Sequence, residues 1–185
     1  MMDKEKENQT IQSILKGDRD AYALIVDAYK DRIFNLAYRM TGHYEDANDL
    51  AQDTFIRAFA NLQRFDNQKQ FFTWLYAISL NIIRNHLKKS KRDHYNENEY
   101  EHNENKISIN DENNPERDLM AKEEAGNLEL CIRRLPAEMK EAVILRFYQG
   151  MPFDDIADIM AISLSAVKMR VYRGLKQLEE LLEDG

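Results

Sequence analysis

Between Phe153 and Leu175 the chain leaves itself few ways to fold. Ile156, Ala157, Met160, Val167, Val171, Leu175 and Leu178 recur at helical spacing, interrupted around Ala161-Ile162-Ser163. The pattern predicts two helices joined by a short turn, with their apolar faces buried against each other. Ala157 is small where the helices would touch. Ser163 suits the N-cap of the second helix, and Ile162 and Val167 stand at the two positions of a hydrophobic staple. The outer face of the second helix is then Ser165, Lys168, Met169, Tyr172, Arg173 and Lys176. An apolar back with a basic, hydrogen-bonding front is what a helix-turn-helix presents to the major groove of duplex DNA. The competing reading is two surface helices of an ordinary bundle, because short helix-turn-helix matches occur by chance.

The remainder reads as helical too. With 3 prolines, 6 glycines and 32% charged residues in 185, the composition favours helices over sheets. No alternating apolar-polar run is long enough for a convincing strand. A hydrophobic content of 43% supports packed cores, and the length allows one domain or two small ones. The expected class is all-α, with two small helical domains and the helix-turn-helix in the second. No apolar run is long enough to span a membrane, so no membrane insertion is expected. Met1 to Thr10 is charged and polar and does not read as a signal peptide. A lone cysteine, Cys131, leaves no internal disulfide and suits a reducing cytoplasm. Its neighbours Leu128, Ile132 and Leu135 make it a small buried hydrophobe.

The formal net charge of -7 argues against a protein that simply coats DNA. The charge is unevenly spread, however. Basic residues gather at Arg84 to Arg92 and at Lys168 to Lys176, acidic ones at Glu45 to Asp53 and from Asp93 to Asp118. Separate basic patches in an acidic chain suit selective contact with nucleic acid, leaving other surfaces for other partners.

Along the first part, Ile33, Leu36, Ala37 and Met40 form one helical stripe. Leu50, Phe55, Ala58, Phe59 and Leu62 form another, and Leu75, Ile78, Ile82 and Leu87 a third. Thr41-Gly42-His43 and Asp66-Asn67-Gln68-Lys69 separate them. The segment 93–114 is dominated by Asn, Asp and Glu and is too poor in apolar residues to offset its ordering cost. The expected organisation is therefore a first domain over 1–92, a flexible acidic linker over 93–114 and a second domain over 115–185. Pro115 suits a first helical turn. Another helix begins at Pro136 and stops at Gly150.

The first domain holds a second informative element, Phe65 to Lys89. Thr73 is the expected cap of its helix, and Asn81, Arg84, Asn85 and Lys88 share one face opposite the apolar stripe. Amides and cations together offer phosphate anchors and base-edge donors. The preceding loop carries polar residues, Asn67 and Lys69 among them, between Phe65 and Phe71. Such a loop suits an unstacked base, which needs a flat surface and hydrogen-bond partners. The plainer reading makes Phe71, Phe72 and Trp74 core aromatics and the basic residues a solvated face; for Trp74 that reading is preferred. One duplex-reading helix and one single-strand-reading loop would suit a protein that holds a promoter while it opens.

Three segments in this order carry a family resemblance: Asp46-Ala47-Asn48-Asp49-Leu50-Ala51-Gln52-Asp53-Thr54-Phe55, then Phe71-Phe72-Thr73-Trp74-Leu75, then Leu135-Pro136 leading into the helix-turn-helix. They closely resemble the extracytoplasmic-function group of bacterial RNA polymerase sigma factors, over nearly the whole chain. The resemblance implies a promoter-melting domain followed by a minus-35-reading domain. It places Asp49, Gln52, Asp53 and Phe55 where the family docks on the clamp helices of the polymerase β′ subunit, and implies a β-flap contact as well. It places Arg64 to Phe71 on the loop that captures a flipped minus-10 base, with Asn81, Arg84 and Asn85 on the helix that follows. It places Lys168, Met169, Tyr172 and Arg173 on the recognition helix, and the linker on the path towards the polymerase active site and RNA exit. An anti-sigma partner is common in the family. Asn48, Phe72, Met169 and Gly174-Leu175 depart from the usual pattern, which bars transfer of any particular promoter sequence.

Nothing in the sequence reads as catalytic. The 4 histidines are scattered, no metal-ligand spacing occurs, and no phosphate-cradling glycine loop is present. No cofactor is expected. The competing function is a helix-turn-helix regulator that binds palindromic duplex without polymerase, and a third is a helical adaptor without nucleic acid. The basic aromatic element in the first domain argues against the regulator, and both basic faces argue against the adaptor.

Overall fold

The computed structural model describes residues 2–96 and 126–183, and every regular element among them is helical. Helix α1 (Lys4–Leu15) precedes α2 (Tyr22–Thr41), α3 (Tyr44–Asn61), a 3-10 turn at Leu62–Arg64 and α4 (Phe71–Asn96). The second domain holds α5 (residues 126–134) and α6 (Ala137–Val143), which widens into a π-type turn at Ile144–Tyr148. Then come α7 (Phe153–Met160) and α8 (Leu164–Glu183). The linker was expected from Asp93, but α4 continues to Asn96. The rest of that segment and the helix start at Pro115 lie outside the described residues.

In the first domain α2, α3 and α4 pack on one another, with α1 laid along α2. Ile25, Tyr29, Ile33, Leu36, Ala37 and Met40 bury one face of α2, and Ala47, Leu50, Ala51, Thr54, Phe55 and Ala58 one face of α3. Gly42 ends α2 in the left-handed region at φ +81°, where its N–H donates to the Tyr38 carbonyl at 2.7 Å. Helix α1 was not legible as part of this core. Its first residues are polar, yet Glu7, Thr10, Ile11 and Ile14 form a buried stripe.

In the second domain Val167, Val171, Gly174 and Leu178 line the buried side of α8. Gly174 lets α6 approach closely: a Cβ there would stand 2.8 Å from Val143 Cγ2 and 3.4 Å from Met139 Cβ. Leu175, expected on the inner stripe, is instead 38% exposed, because Gly174 occupies the contact line. Ser163 caps α8 as expected, its Oγ accepting the Ala166 N–H at 3.2 Å. The turn before it is tight enough to put Ala161, a non-glycine residue, at φ +55°.

The two domains are packed together. α4 lies against α7, and the π-type turn lies against α2. Their buried apolar side chains form one continuous set.

Candidate DNA and polymerase interfaces

The outward face of α8 is open. Ser165, Lys168, Met169, Tyr172, Arg173 and Lys176 are all exposed, Tyr172 at 63%. The helix is held from behind by its buried side and from one flank by Arg170, which pairs with Glu138 on α6 at 2.7 Å. Lys168 Nζ lies 6.0 Å from the Phe153 ring centre on α7. A rigid helix thus carries cations, a hydroxyl and an aromatic ring on a single solvent-facing strip. That is suitable chemistry for phosphate anchoring and base-edge contact.

The loop before α4 divides into a polar rim and an aromatic floor. Arg64, Asn67 and Lys69 are exposed. Asp66 organises the turn: its Oδ1 accepts the Gln68 N–H at 3.0 Å and its carbonyl accepts the Lys69 N–H at 2.9 Å. Phe65 and Phe71, expected to offer a surface to a base, are buried to 7% and 1% exposure. Each is spent on the core. Phe65 meets Phe71 and Trp74 at 5.3 Å, Phe71 meets Trp74 at 5.5 Å, and Tyr29 lies beneath at 6.1 Å. Thr73 does not cap the helix either, since α4 starts at Phe71 and the Trp74 N–H already donates to the Gln70 carbonyl. Beneath the loop sits Glu7, a buried carboxyl that accepts the Tyr29 hydroxyl and whose pKa desolvation raises. Its only sequence signal was the Ile11/Ile14 spacing.

On α3, Asp49, Gln52 and Asp53 are exposed but Phe55 points into the core at 7%. The exposed apolar partner of the acidic strip is Ile56, at 64%, with Phe59 beside it at 39%. Asp49, Gln52, Asp53 and Ile56 fall at i, i+3, i+4 and i+7, so they share one face. Helical spacing contained this information. Phe55 is the larger hydrophobe, but it lies on the buried stripe and Ile56 on the exposed one.

Family models match both halves: Sigma-70 region 2 over residues 25–93 and Sigma-70 region 4 over residues 125–178. The chain is 35% identical over 178 residues to the ECF RNA polymerase sigma factor SigW of Bacillus subtilis (strain 168), covering 94% of this chain and 95% of that one. It belongs to the extracytoplasmic-function sigma factors. A sigma factor is a transcription initiation factor, not an enzyme, and directs promoter-specific transcription with core RNA polymerase. The fold is also that of CnrH in its complex with the cytosolic domain of CnrY, at TM-score 0.69 and 22% identity, covering 96% of this chain and 97% of that one. The sigma factor RpoE bound to the anti-sigma factor NepR from Bartonella quintana matches at TM-score 0.69 and 23% identity, covering 88% and 96%. No helix among the described residues is long and apolar enough to cross a membrane.

In this sigma factor the polar face of α4 is not uniformly free. Asn81, Asn85 and Lys88 are exposed, but Arg84 is held across the domain boundary. Its Nε donates to Glu141 Oε1 at 2.8 Å and its terminal nitrogen to Oε2 at 2.7 Å, a bidentate pair. Glu141 is 2% exposed. The Glu141 carboxylate favours the charged guanidinium, raising the Arg84 pKa. Gln149 accepts the Tyr76 hydroxyl at 2.8 Å and donates to the Arg32 carbonyl at 3.4 Å. Arg39 pairs with Glu129 and lies 3.6 Å over the Tyr148 ring. None of the acceptors Glu129, Glu141 or Gln149 was singled out by the sequence. They sit on helices whose local pattern says only that they are polar.

Proposed function

We propose that this sigma factor reads minus-35 duplex with α8 and captures the non-template strand of the minus-10 element with the first domain. Lys168 and Arg173, with Ser165, Met169, Tyr172 and Lys176 around them, enter the major groove. Arg64, Asn67 and Lys69 line the capture loop over the floor of Phe65 and Phe71, and Asn81, Arg84, Asn85 and Lys88 guide the strand. The observation that carries the reading is the pair of separate polar strips, on α8 and on the loop with α4, each mounted on a buried apolar back.

Docking on the β′ clamp helices uses Asp49, Gln52, Asp53 and Ile56, an acidic strip around one large hydrophobe that suits a basic helical partner. The second domain meets the β flap, as the family resemblance implies. The RpoE match, bound to the anti-sigma factor NepR, supplies the analogy for an anti-sigma partner, and work with core polymerase supports a cytoplasmic location. A gel shift with promoter DNA, with and without core polymerase, tests the scheme. The expected result is a specific complex that requires core and is weakened by Asp49→Lys in a folded protein. Tight, palindrome-dependent binding by the chain alone would instead identify a helix-turn-helix regulator.

A further inference from the structure

The loop that carries Arg64, Asn67 and Lys69 is anchored at both ends, and only one anchor is local. Asp66 holds its turn through the Gln68 and Lys69 N–H groups. At the other end α4 starts at Phe71 with no acidic residue in its first turn, and Thr73 is already inside the helix. The N–H groups of such an end need an acceptor from elsewhere. It comes from α1. The Glu7 carboxylate accepts the Phe71 backbone N–H and, through Oε1, the Tyr29 hydroxyl. Glu7 is 5% exposed and shares its stripe with Ile11 and Ile14. An apolar side chain would serve the packing of that stripe, whereas a carboxylate bears a desolvation cost that packing does not require. What the carboxylate adds is direction. One side chain joins α1, α2 and the first residue of α4, and a satisfied buried network fixes a single arrangement. The Phe71 ring lies in the floor of the loop against Phe65, Trp74 and Tyr29, so its backbone cannot shift without moving that floor.

We infer that Glu7 is a positioning residue for minus-10 capture: from α1 it caps α4 at Phe71 and sets the rim of Arg64, Asn67 and Lys69 over its aromatic floor. The inference rests on the proposed reading of that loop. Glu7 meets no DNA and acts through Phe71 and Tyr29. A negative charge at a helix start also favours the helix itself. The base preference of the loop thus depends on a residue outside the stretch 25–93 that matches Sigma-70 region 2.

The test uses the full chain with core polymerase, compared at equal amounts of folded holoenzyme. Glu7→Met fills the site without the carboxylate, and Glu7→Ala is the second variant with the same expectation. Glu7→Gln keeps a side-chain carbonyl for the Phe71 N–H. Ile14→Ala loosens α1 and leaves Glu7 in place. Transcription is read across a minus-10 library and a minus-35 library. Glu7→Met is expected to flatten minus-10 base preference about fivefold, the factor that loss of a typical helix cap carries. Minus-35 preference and core affinity should stay at the wild-type level, and the flattening should persist on a pre-melted template, because it lies in base capture and not in opening. Glu7→Gln should restore most of the preference. A Gln variant no better than Met would overturn the inference, since the bond to Phe71 would then not be what counts. Equal flattening by Ile14→Ala would overturn it too, assigning the effect to the packing of α1. Wild-type minus-10 preference in Glu7→Met and Glu7→Ala would also overturn it, and Asn67→Ala then separates the causes. A changed preference in Asn67→Ala would leave the loop standing as a reader and remove only the part of Glu7. No change would remove the reading of the loop as well.

Discussion

The polar strips of α8 and α4 look alike on a helical wheel and differ in what stands opposite them. On α8 every proposed contact faces solvent, and the residues that fix the helix, Val167, Val171, Gly174 and Leu178, are on its other side. Support and recognition are separated, so the strip is ready as it stands. On α4 the two are mixed. Arg84 belongs by position to the strip proposed to meet DNA and by contact to the domain seam. A helix that serves two surfaces cannot offer both at once. A residue's role there depends on which partner holds it.

Removing each arginine should therefore give opposite signatures, and Arg84→Ala should give the largest effect. It strands the buried Glu141 carboxylate; because Arg84 is itself 29% exposed, the cost falls below the about 3–5 kcal/mol of a fully buried pair broken from one side. Separation of the domains rehydrates Glu141 and limits that cost. Chemical denaturation should show a destabilised or broadened transition, and scattering an expanded particle. A sharp wild-type transition with unchanged dimensions would mean that Arg84 and Glu141 contribute nothing to closure.

Arg173→Ala should do the reverse. Its side chain is exposed, so stability should stay within about 0.5 kcal/mol of wild type. Transcription across a minus-35 promoter library should lose about 1–3 kcal/mol of discrimination at one base if the guanidinium grips a guanine. Unaltered base preference would break the claim that α8 is the ready strip.

The contrast also explains what could be read without the structure. The α8 strip was legible because its causes are local: an N-cap, a staple and an apolar period within one helix-turn-helix. Helix class, the breaks at Gly42 and at residues 66–69, and the side of α3 that bears Asp49, Gln52 and Asp53 were legible for the same reason. Phe65 and Phe71 misled because an aromatic beside a polar loop looks the same whether it faces in or out; only Tyr29 and Trp74 closing around them decide it. Leu175 lies one position off the buried line of α8, and Phe55 lies on the buried line of α3 one position from the exposed Ile56, shifts within the width of a helical stripe. Glu141 was invisible because its partner lies 57 residues away in sequence. Long-range pairing leaves no periodic mark.

A smaller effect separates the starts of the two helices. Ser163→Ala removes the acceptor of the Ala166 N–H and should cost about 1 kcal/mol, fraying the first turn of α8 and with it Ser165. Thr73→Ala lies inside α4 and should change stability by less than about 0.5 kcal/mol. Thermal melts of the two variants decide it. Equal losses would mean that α4 depends on Thr73 after all, and that the helix starts are not built differently.

A small effect of the opposite sign tests the seam from its basic side. Lys140 on α6 carries a pKa lowered by burial, and further by Arg133 and by Lys91 on α4. A lysine whose folded value is depressed binds fewer protons folded than unfolded. Stability therefore rises with pH through the lowered value and levels off near the ordinary 10.5. Lys140→Met keeps an apolar stem in place and removes the charge. It should stabilise the closed chain at neutral pH by less than about 1 kcal/mol, because the side chain is partly solvated. It should also abolish the alkaline gain. Denaturation of both proteins across that pH range checks both signs. A Met variant less stable than wild type at neutral pH would show that the Lys140 charge is a support of the seam, not a strain on it. A charge contact of Lys140 would then add to the attractions that Arg84 makes with Glu141 and Tyr76 with Gln149 on the α4 side.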